Sequence, residues 1–267
     1  MSQLDRSSIV ARLSADLVSA LEEGQFSIAY QPQFDAVSRK LVGAESFIRW
    51  DHPEFGMVPP LEFIPVAEEN GLMMSIGTWI LRAVAQQHKH WHSMMRRMER
   101  SFRTSVNISA VQLESASFPA SVQRLISDLD IDAGSFEIEL TEFLQTKPWF
   151  SHALKGLKAL GLRFSIDDFG TSFSSISVLK RMSVDAIKID QSLTAQLPHD
   201  TQSMAIVQAT LAMAKSLAIE TIAEGVETAE QAAALTRLSC TTLQGKLFSM
   251  PVPALEFETR FFPSLRS

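Results

Sequence analysis

The chain has 267 residues, 46% of them hydrophobic, and a net charge of −6 from 24 basic and 30 acidic side chains. That apolar content excludes a disordered chain, and the acidic balance argues against a general DNA- or RNA-binding surface. It leaves room for a phosphate ligand, because bound metal can reverse the local charge.

Cys240 is the one cysteine, so no internal disulfide can form, and a cytoplasmic setting is expected. The opening residues MSQLDRSS are polar and carry no signal-peptide core. No run approaches the ~20 apolar residues of a membrane span, so membrane insertion is not expected. No linker or composition shift divides the chain. Residues 1–267 are read as a single domain, with 1–24 forming an N-terminal helix that leads into it.

Ile9, Leu13, Leu17 and Leu21 recur at four-residue spacing and predict that first helix. Strands are predicted at 26–30 and 41–48. The polar stretch 35–40 between them is shorter than the roughly dozen residues a parallel crossover needs, so the two must form an antiparallel hairpin. Pro59-Pro60 opens a helix over 61–70 that Gly71 closes. A helix follows at 80–98. Further strands are predicted at 102–108, 136–140, 162–166, 184–189, 220–223 and 240–243, with helices at 204–218 and 229–238. Eight strands alternating with helices predict an α/β fold, a modified TIM (β/α)8-type barrel with one antiparallel strand near the N-terminus.

The strand ends carry the chemistry. Glu45 lies in the second strand, Asn107 ends the third, Glu139 lies in the fourth, and the fifth runs into Asp167-Asp168. The sixth contains Lys188 and runs into Asp190, the seventh runs into Glu224, and the eighth into Gln244. In a parallel barrel those ends share one mouth, where active sites lie. Several of these residues sit in apolar sequence (FEIEL, FSIDDF, AIKID, TIAEG), and a buried carboxylate costs several kcal/mol unless paired or metal-bound. A set of Glu, Asp and Asn oxygens suits Mg2+ or Mn2+ rather than Zn2+.

Each residue also has a plainer reading. A strand-end Glu or Gln is often a cap, Asp167-Asp168 before Phe-Gly can start a turn, and Lys188 can simply neutralise an acid. Taken together, the plain reading needs a separate account at strand after strand. Lys188 would also suit a Schiff-base enzyme, but the carboxylate ring favours metal chemistry. His88 and His92 in HKHWH stand four apart, without an HExxH pattern or a supporting cysteine. They are expected on a solvated helix surface, as is the RRMER run at 96–100.

The ordered motifs YQPQFD from Tyr30, AESFIRW from Ala44, FIPVAEENG from Phe63, SVNIS from Ser105 and EIELTE from Glu137 resemble the EAL-domain family of bacterial cyclic-di-GMP phosphodiesterases. SIDDFGTSFSSI from Ser165, VDAIKID from Val184, AEGVET from Ala223 and LQGKLF from Leu243 continue the resemblance over nearly the whole chain. It implies metal-dependent hydrolysis of cyclic di-GMP to linear 5′-pGpG, with two Mg2+ or Mn2+ ions per site and a homodimer. By this resemblance Glu45, Asn107, Glu139 and Asp167 match the primary metal ligands, and Asp168 matches a ligand of the second ion. Lys188 and Glu224 match groups that position the attacking water and steady the phosphate. Gln31, Phe47 and Arg49 are similar to substrate contacts, and Gln244 to a group supporting water or substrate. Glu142 resembles the residue that pins the loop after Asp168; Asp190 and Glu227 resemble supporting partners.

Three departures matter. The signature Glu-Ala-Leu reads Glu45-Ser46-Phe47, which adds a hydroxyl beside the ligand and a ring beside the substrate. The usual Gly-Thr-Gly reads Gly170-Thr171-Ser172, which bears on regulation. Lys246 stands where an aromatic residue is common, either contacting a phosphate or facing solvent. The alternative function is a catalytically silent cyclic-di-GMP receptor acting through a regulatory protein partner. The chain is either a stand-alone protein or a fragment of a larger sensor.

Overall fold

The computed structural model describes residues 6–97, 101–141, 144, 147, 149–170, 179 and 183–262. Among them the strands are β1 Phe26–Asp35, β2 Leu41–His52, β3 Gly56–Val58, β4 Arg103–Asn107, β5 Phe136–Thr141, β6 Arg163–Phe169, β7 Ala186–Ile189, β8 Glu220–Ala223, β9 Thr242–Gln244 and β10 Val252–Pro253. All eight predicted strands form. The short β3 and β10 carry too few residues to show a period, and they attach to β2 and β1.

Hydrogen bonding runs β1–β9–β8–β7–β6–β5–β4–β2 and returns from β2 to β1, closing an eight-stranded barrel. Pairings from β2 round to β9 are parallel. Strand β1 is antiparallel to both neighbours, β2 and β9. The reversed strand is therefore the first, as the short connection before β2 requires. Helices Arg6–Ala20, Pro60–Glu69, Met73–Arg97, Phe118–Leu129, Phe150–Lys158, Thr201–Ser216 and Ala229–Arg237 accompany the strands. The helix predicted from 80 starts at Met73. Gly77 breaks its apolar pattern, yet a Cβ there would meet the Gln112 amide at 2.3 Å, so glycine is a packing requirement.

Alternation along the strands sorts the barrel into two environments. Phe136, Ile138 and Leu140 of β5 join Val106, Phe164, Ile166 and Ile187 against Val84, Val122, Leu154 and Leu157 of the helices. The intervening Glu137 and Glu139 face the lumen, which is polar. At its N-terminal end Arg163 meets Glu137 at 3.3 Å and Glu220 at 3.2 Å, and Arg103 meets Glu220 at 2.5 Å. Strands β6 and β8 are not neighbours, so these contacts cross the lumen and close that end. The other end is left for chemistry.

His88 corrects the expectation of a solvated HKHWH surface. It is fully buried, its ring bracketed by Thr104 Oγ1 at 3.0 Å and Ser135 Oγ at 3.1 Å. Burial, helped by His92, pushes its pKa down to about 3. His88 continues the Leu81, Val84, Ala85 stripe at helical spacing, which places it on the inner face. His90 is exposed, and so is Arg96; residues 98–100 of the RRMER run lie outside the described residues. No described helix is long and apolar enough to cross a membrane.

Candidate active site

Register brings the strand-end residues to one depth. Gln31 pairs with Glu45, Gln33 with Gln244, Asn107 with Glu139, and Thr141 with Asp167. At the centre is Lys188, fully buried. Its Nζ lies 2.6 Å from Glu139 Oε2, 2.6 Å from Glu224 Oε1, 3.0 Å from Glu45 Oε1 and 3.2 Å from Asp167 Oδ1. One cation thus gathers four carboxylates from around the barrel. Asn107 Nδ2 donates to Glu45 Oε1 at 3.2 Å.

A chain of amides fixes Glu45 from the other side. Gln244 Nε2 donates to Glu45 Oε2 at 2.5 Å and to Gln31 Oε1 at 3.0 Å. Gln33 Nε2 donates to Gln244 Oε1 at 2.8 Å, and Gln31 Nε2 donates to the Ser249 carbonyl at 3.0 Å. Sequence reasoning missed Gln33. The signal was its two-residue spacing from Gln31, which puts both on one strand face.

Asp167 and Asp168 sit where the β6–β7 register shifts between Ile166 and Phe169. Such an irregularity re-aims side chains. Asp168 has φ +57°, a left-handed conformation that Asp tolerates better than most residues, and Gly170 follows at φ +100°. The Asp168 amide donates to Asp167 Oδ1 at 3.0 Å. Backbone strain of this kind clusters at functional sites.

The remaining predicted residues spread around the rim. The Arg49 guanidinium lies 5.5 Å from the Phe47 ring centre, and its Nη1 donates to the Ile48 carbonyl at 2.9 Å. Asp190 caps the short helix Gln191–Ala195, accepting from the Ser192 amide at 2.8 Å and from its hydroxyl. Glu227 pairs with Lys246 at 2.5 Å, both about half exposed. Ser46 departs from the expectation of a hydroxyl beside the ligand. Its Oγ points to the other strand face and donates to the Ser105 carbonyl at 2.8 Å. Glu142 and Ser172 lie outside the described residues.

Electrostatics follow from this crowding. Burial opposes ionisation of Glu45, but Lys188 and the bonds from its neighbours outweigh it and hold the carboxyl below the usual range. Burial, then the charge of Glu45, pushes Glu139 well above that range. Burial raises Glu224 to about 8 against the pull of Lys188, with Glu45 and Asp167 adding to the rise. Burial and Asp167 raise Asp168. For Lys188 burial opposes the charge, yet Glu139, Glu224, Glu45 and Asp167 together hold the ammonium well above its ordinary value. A lysine so firmly protonated is a poor Schiff-base nucleophile, which removes support from that reading.

The donor set also fits a hard cation. Glu139 Oε1 is buried without a hydrogen-bond partner, an orphan oxygen among acids. Buried carboxylate oxygens are costly unless matched by positive charge. Among the described residues no three His, Cys, Asp or Glu side chains form a ready metal cage. Four of the carboxylates meet at Lys188. Glu, Asp and Asn oxygens at this mouth nevertheless have the chemistry of a Mg2+ or Mn2+ site.

Fold and site together define an α/β barrel with a polar lumen and a carboxylate–lysine centre at one mouth. The chain belongs to the EAL domain family, whose model matches residues 14–251. It is 36% identical over 245 residues to the bifunctional diguanylate cyclase/cyclic di-GMP phosphodiesterase MucR of Pseudomonas aeruginosa, covering 91% of this chain and 35% of that protein. It is 36% identical over 248 residues to the cyclic di-GMP phosphodiesterase PdeR of Escherichia coli, covering 92% of this chain and 37% of that protein. The chain thus spans roughly a third of the length of these curated relatives. The solved structure of the PaMucR phosphodiesterase in complex with c-di-GMP superposes with a TM-score of 0.87 at 36% identity, covering 92% of this chain and 99% of that one.

Proposed function

We propose that this chain hydrolyses cyclic di-GMP to linear 5′-pGpG with the help of divalent metal. The observation that carries the reading is Lys188, buried at the barrel mouth and shared by Glu45, Glu139, Asp167 and Glu224. Membership of a family whose relatives include named cyclic di-GMP phosphodiesterases supplies the substrate.

Glu45, Asn107, Glu139 and Asp167 would hold one Mg2+ or Mn2+, and Asp168 would join in holding a second. Ions bound there supply Lewis-acid stabilisation of phosphate charge and lower the pKa of water. The chain's own groups do the rest. Lys188 keeps its proton and presents positive charge to the non-bridging phosphate oxygens as charge builds on them. Glu224, whose Oε1 lies 2.6 Å from Lys188 Nζ, would accept a proton from the attacking water. The water oxygen bonds to phosphorus while the bond to the 3′ oxygen breaks on the opposite side. One guanylate keeps the 5′-phosphate, and the departing 3′ oxygen takes a proton from solvent to become the free 3′-hydroxyl of the other. Gln244, which also donates to Gln31, holds Glu45 in place from behind. Phe47 and Arg49 form a flat, cationic wall suited to a guanine face.

The test is incubation of the purified chain with cyclic di-GMP and Mg2+ or Mn2+, read by chromatography. Metal-dependent pGpG is expected, abolished by chelation and by Glu45→Ala or Asp167→Ala. Full turnover by either variant would refute the ligand assignment. Intact nucleotide with tight binding would assign a receptor, and absence of binding would remove both readings.

A further inference from the structure

Besides Lys188 and Arg49, another cation stands beyond the end of β9, outside the carboxylate–lysine centre. Lys246 follows Gln244 by two residues, and its Nζ pairs with Glu227 Oε2 at 2.5 Å. Its state is opposite to that of Lys188. Lys188 is buried and committed to four carboxylates, whereas Lys246 and Glu227 are each about half exposed.

The backbone under Lys246 is fixed. The Val226 amide donates to the Gln244 carbonyl at 3.0 Å, and the Leu247 amide donates to the Val226 carbonyl at 3.0 Å. A Cβ on Gly245 would stand 2.2 Å from the Val226 carbonyl oxygen, so the two loops touch there. These contacts zip the segment after β9 to the segment after β8. Lys246 is thereby held at the rim, outward of Gln244 and across from the loop that carries Glu224. A half-exposed ion pair contributes little, so exchanging Glu227 for another oxyanion costs little.

A cyclic dinucleotide carries two phosphates, and only one can occupy the reacting position. Lys188 is already shared by Glu45, Glu139, Asp167 and Glu224, so the other phosphate needs a cation of its own. We propose that Lys246 is a substrate-binding and specificity-determining residue that leaves Glu227 to bind the second, non-reacting phosphate of the cyclic dinucleotide. This rests on the reading of the site as a cyclic di-GMP site.

The experiment compares wild type, Lys246→Gln and Lys246→Arg in steady-state hydrolysis of cyclic di-GMP, alongside a calorimetric titration with the same nucleotide. Lys246→Gln is expected to raise KM and Kd about fivefold, the upper range for an exposed ion pair, with kcat within about twofold. Lys246→Arg is expected to stay near wild type in both. An unchanged KM and Kd in Lys246→Gln would overturn the proposal. So would a fall in kcat at constant KM, because a pair that merely braces the Glu224 loop would act on the chemical step. If wild type binds without turnover, hydrolysis fails as a reading while the titration still decides on Lys246. Weaker binding by Lys246→Gln then supports the contact; equal binding, or no binding by wild type, overturns it.

Discussion

Replacing Lys188 with methionine keeps the apolar reach of the side chain and deletes its charge. Four carboxylates within 2.6–3.2 Å then lose their shared cation. Removing one partner of a buried ion pair costs about 3–5 kcal/mol, a large share of the ~5–15 kcal/mol that stabilises a domain. The cost depends on pH. Glu139 and Glu224 already have raised carboxyls in the folded chain, Glu224 at about 8 against an ordinary 4.5. Groups raised in the folded state add stability at low pH and lose it as pH rises through the folded value. Without Lys188 these carboxyls rise further. The folded variant then holds protons that the unfolded chain releases above its ordinary carboxyl range, so its stability falls more steeply than that of wild type between about pH 6 and about pH 8.5. Urea unfolding followed by tryptophan fluorescence in chelator, at those two pH values, measures the difference. A loss of about 3–5 kcal/mol is expected at the higher pH and a clearly smaller one at the lower, with millimolar Mg2+ restoring part of it. Equal stability of variant and wild type at the higher pH, or a loss independent of pH, would refute the account of Lys188 as the centre's resident cation.

His88, held near pKa 3 by burial against an ordinary 6.5, gives a second pH effect. Its folded value is depressed, so the stability it contributes is complete above the unfolded pKa and is lost as pH falls toward the folded one. His88→Gln should flatten the decline in unfolding free energy between about pH 6.5 and about pH 4, measured by urea titration; an unchanged slope would contradict it. Gly245→Ala forces a Cβ into the Val226 backbone and should cost about 1–3 kcal/mol while lowering kcat through displaced Gln244. Full activity with unchanged stability would count against that. Ser46→Ala loses one buried hydrogen bond to the Ser105 carbonyl and should cost about 1 kcal/mol with turnover unaffected, since the hydroxyl faces away from Glu45. A change in kcat would show that Ser46 acts on the site.

Periodicity and connection length made the barrel legible. The interval between β1 and β2 admits only a hairpin, and the strand-end acids follow from reading where each apolar run stops. Those are local properties, set by steric reach and by a two-residue side-chain period. Burial at position 88 was equally local, a matter of helical spacing from Leu81, Val84 and Ala85, and was obscured by the polar look of its neighbours. Other features belong to the closed barrel alone. The Lys188 contacts join β7 to β2, β5 and β6, and the Arg163–Glu220 pair crosses β7, because closure brings distant strands face to face. The left-handed turn at Asp168 arises from a register shift against β7, and the Ser46 hydroxyl turns outward because the pleat alternates. Residue types and spacing thus determined which groups could gather at the barrel mouth as oxygen ligands. Only tertiary structure decided that a single buried ammonium holds four of its acids together, since the energy of such a cluster depends on distance and burial rather than on order along the chain.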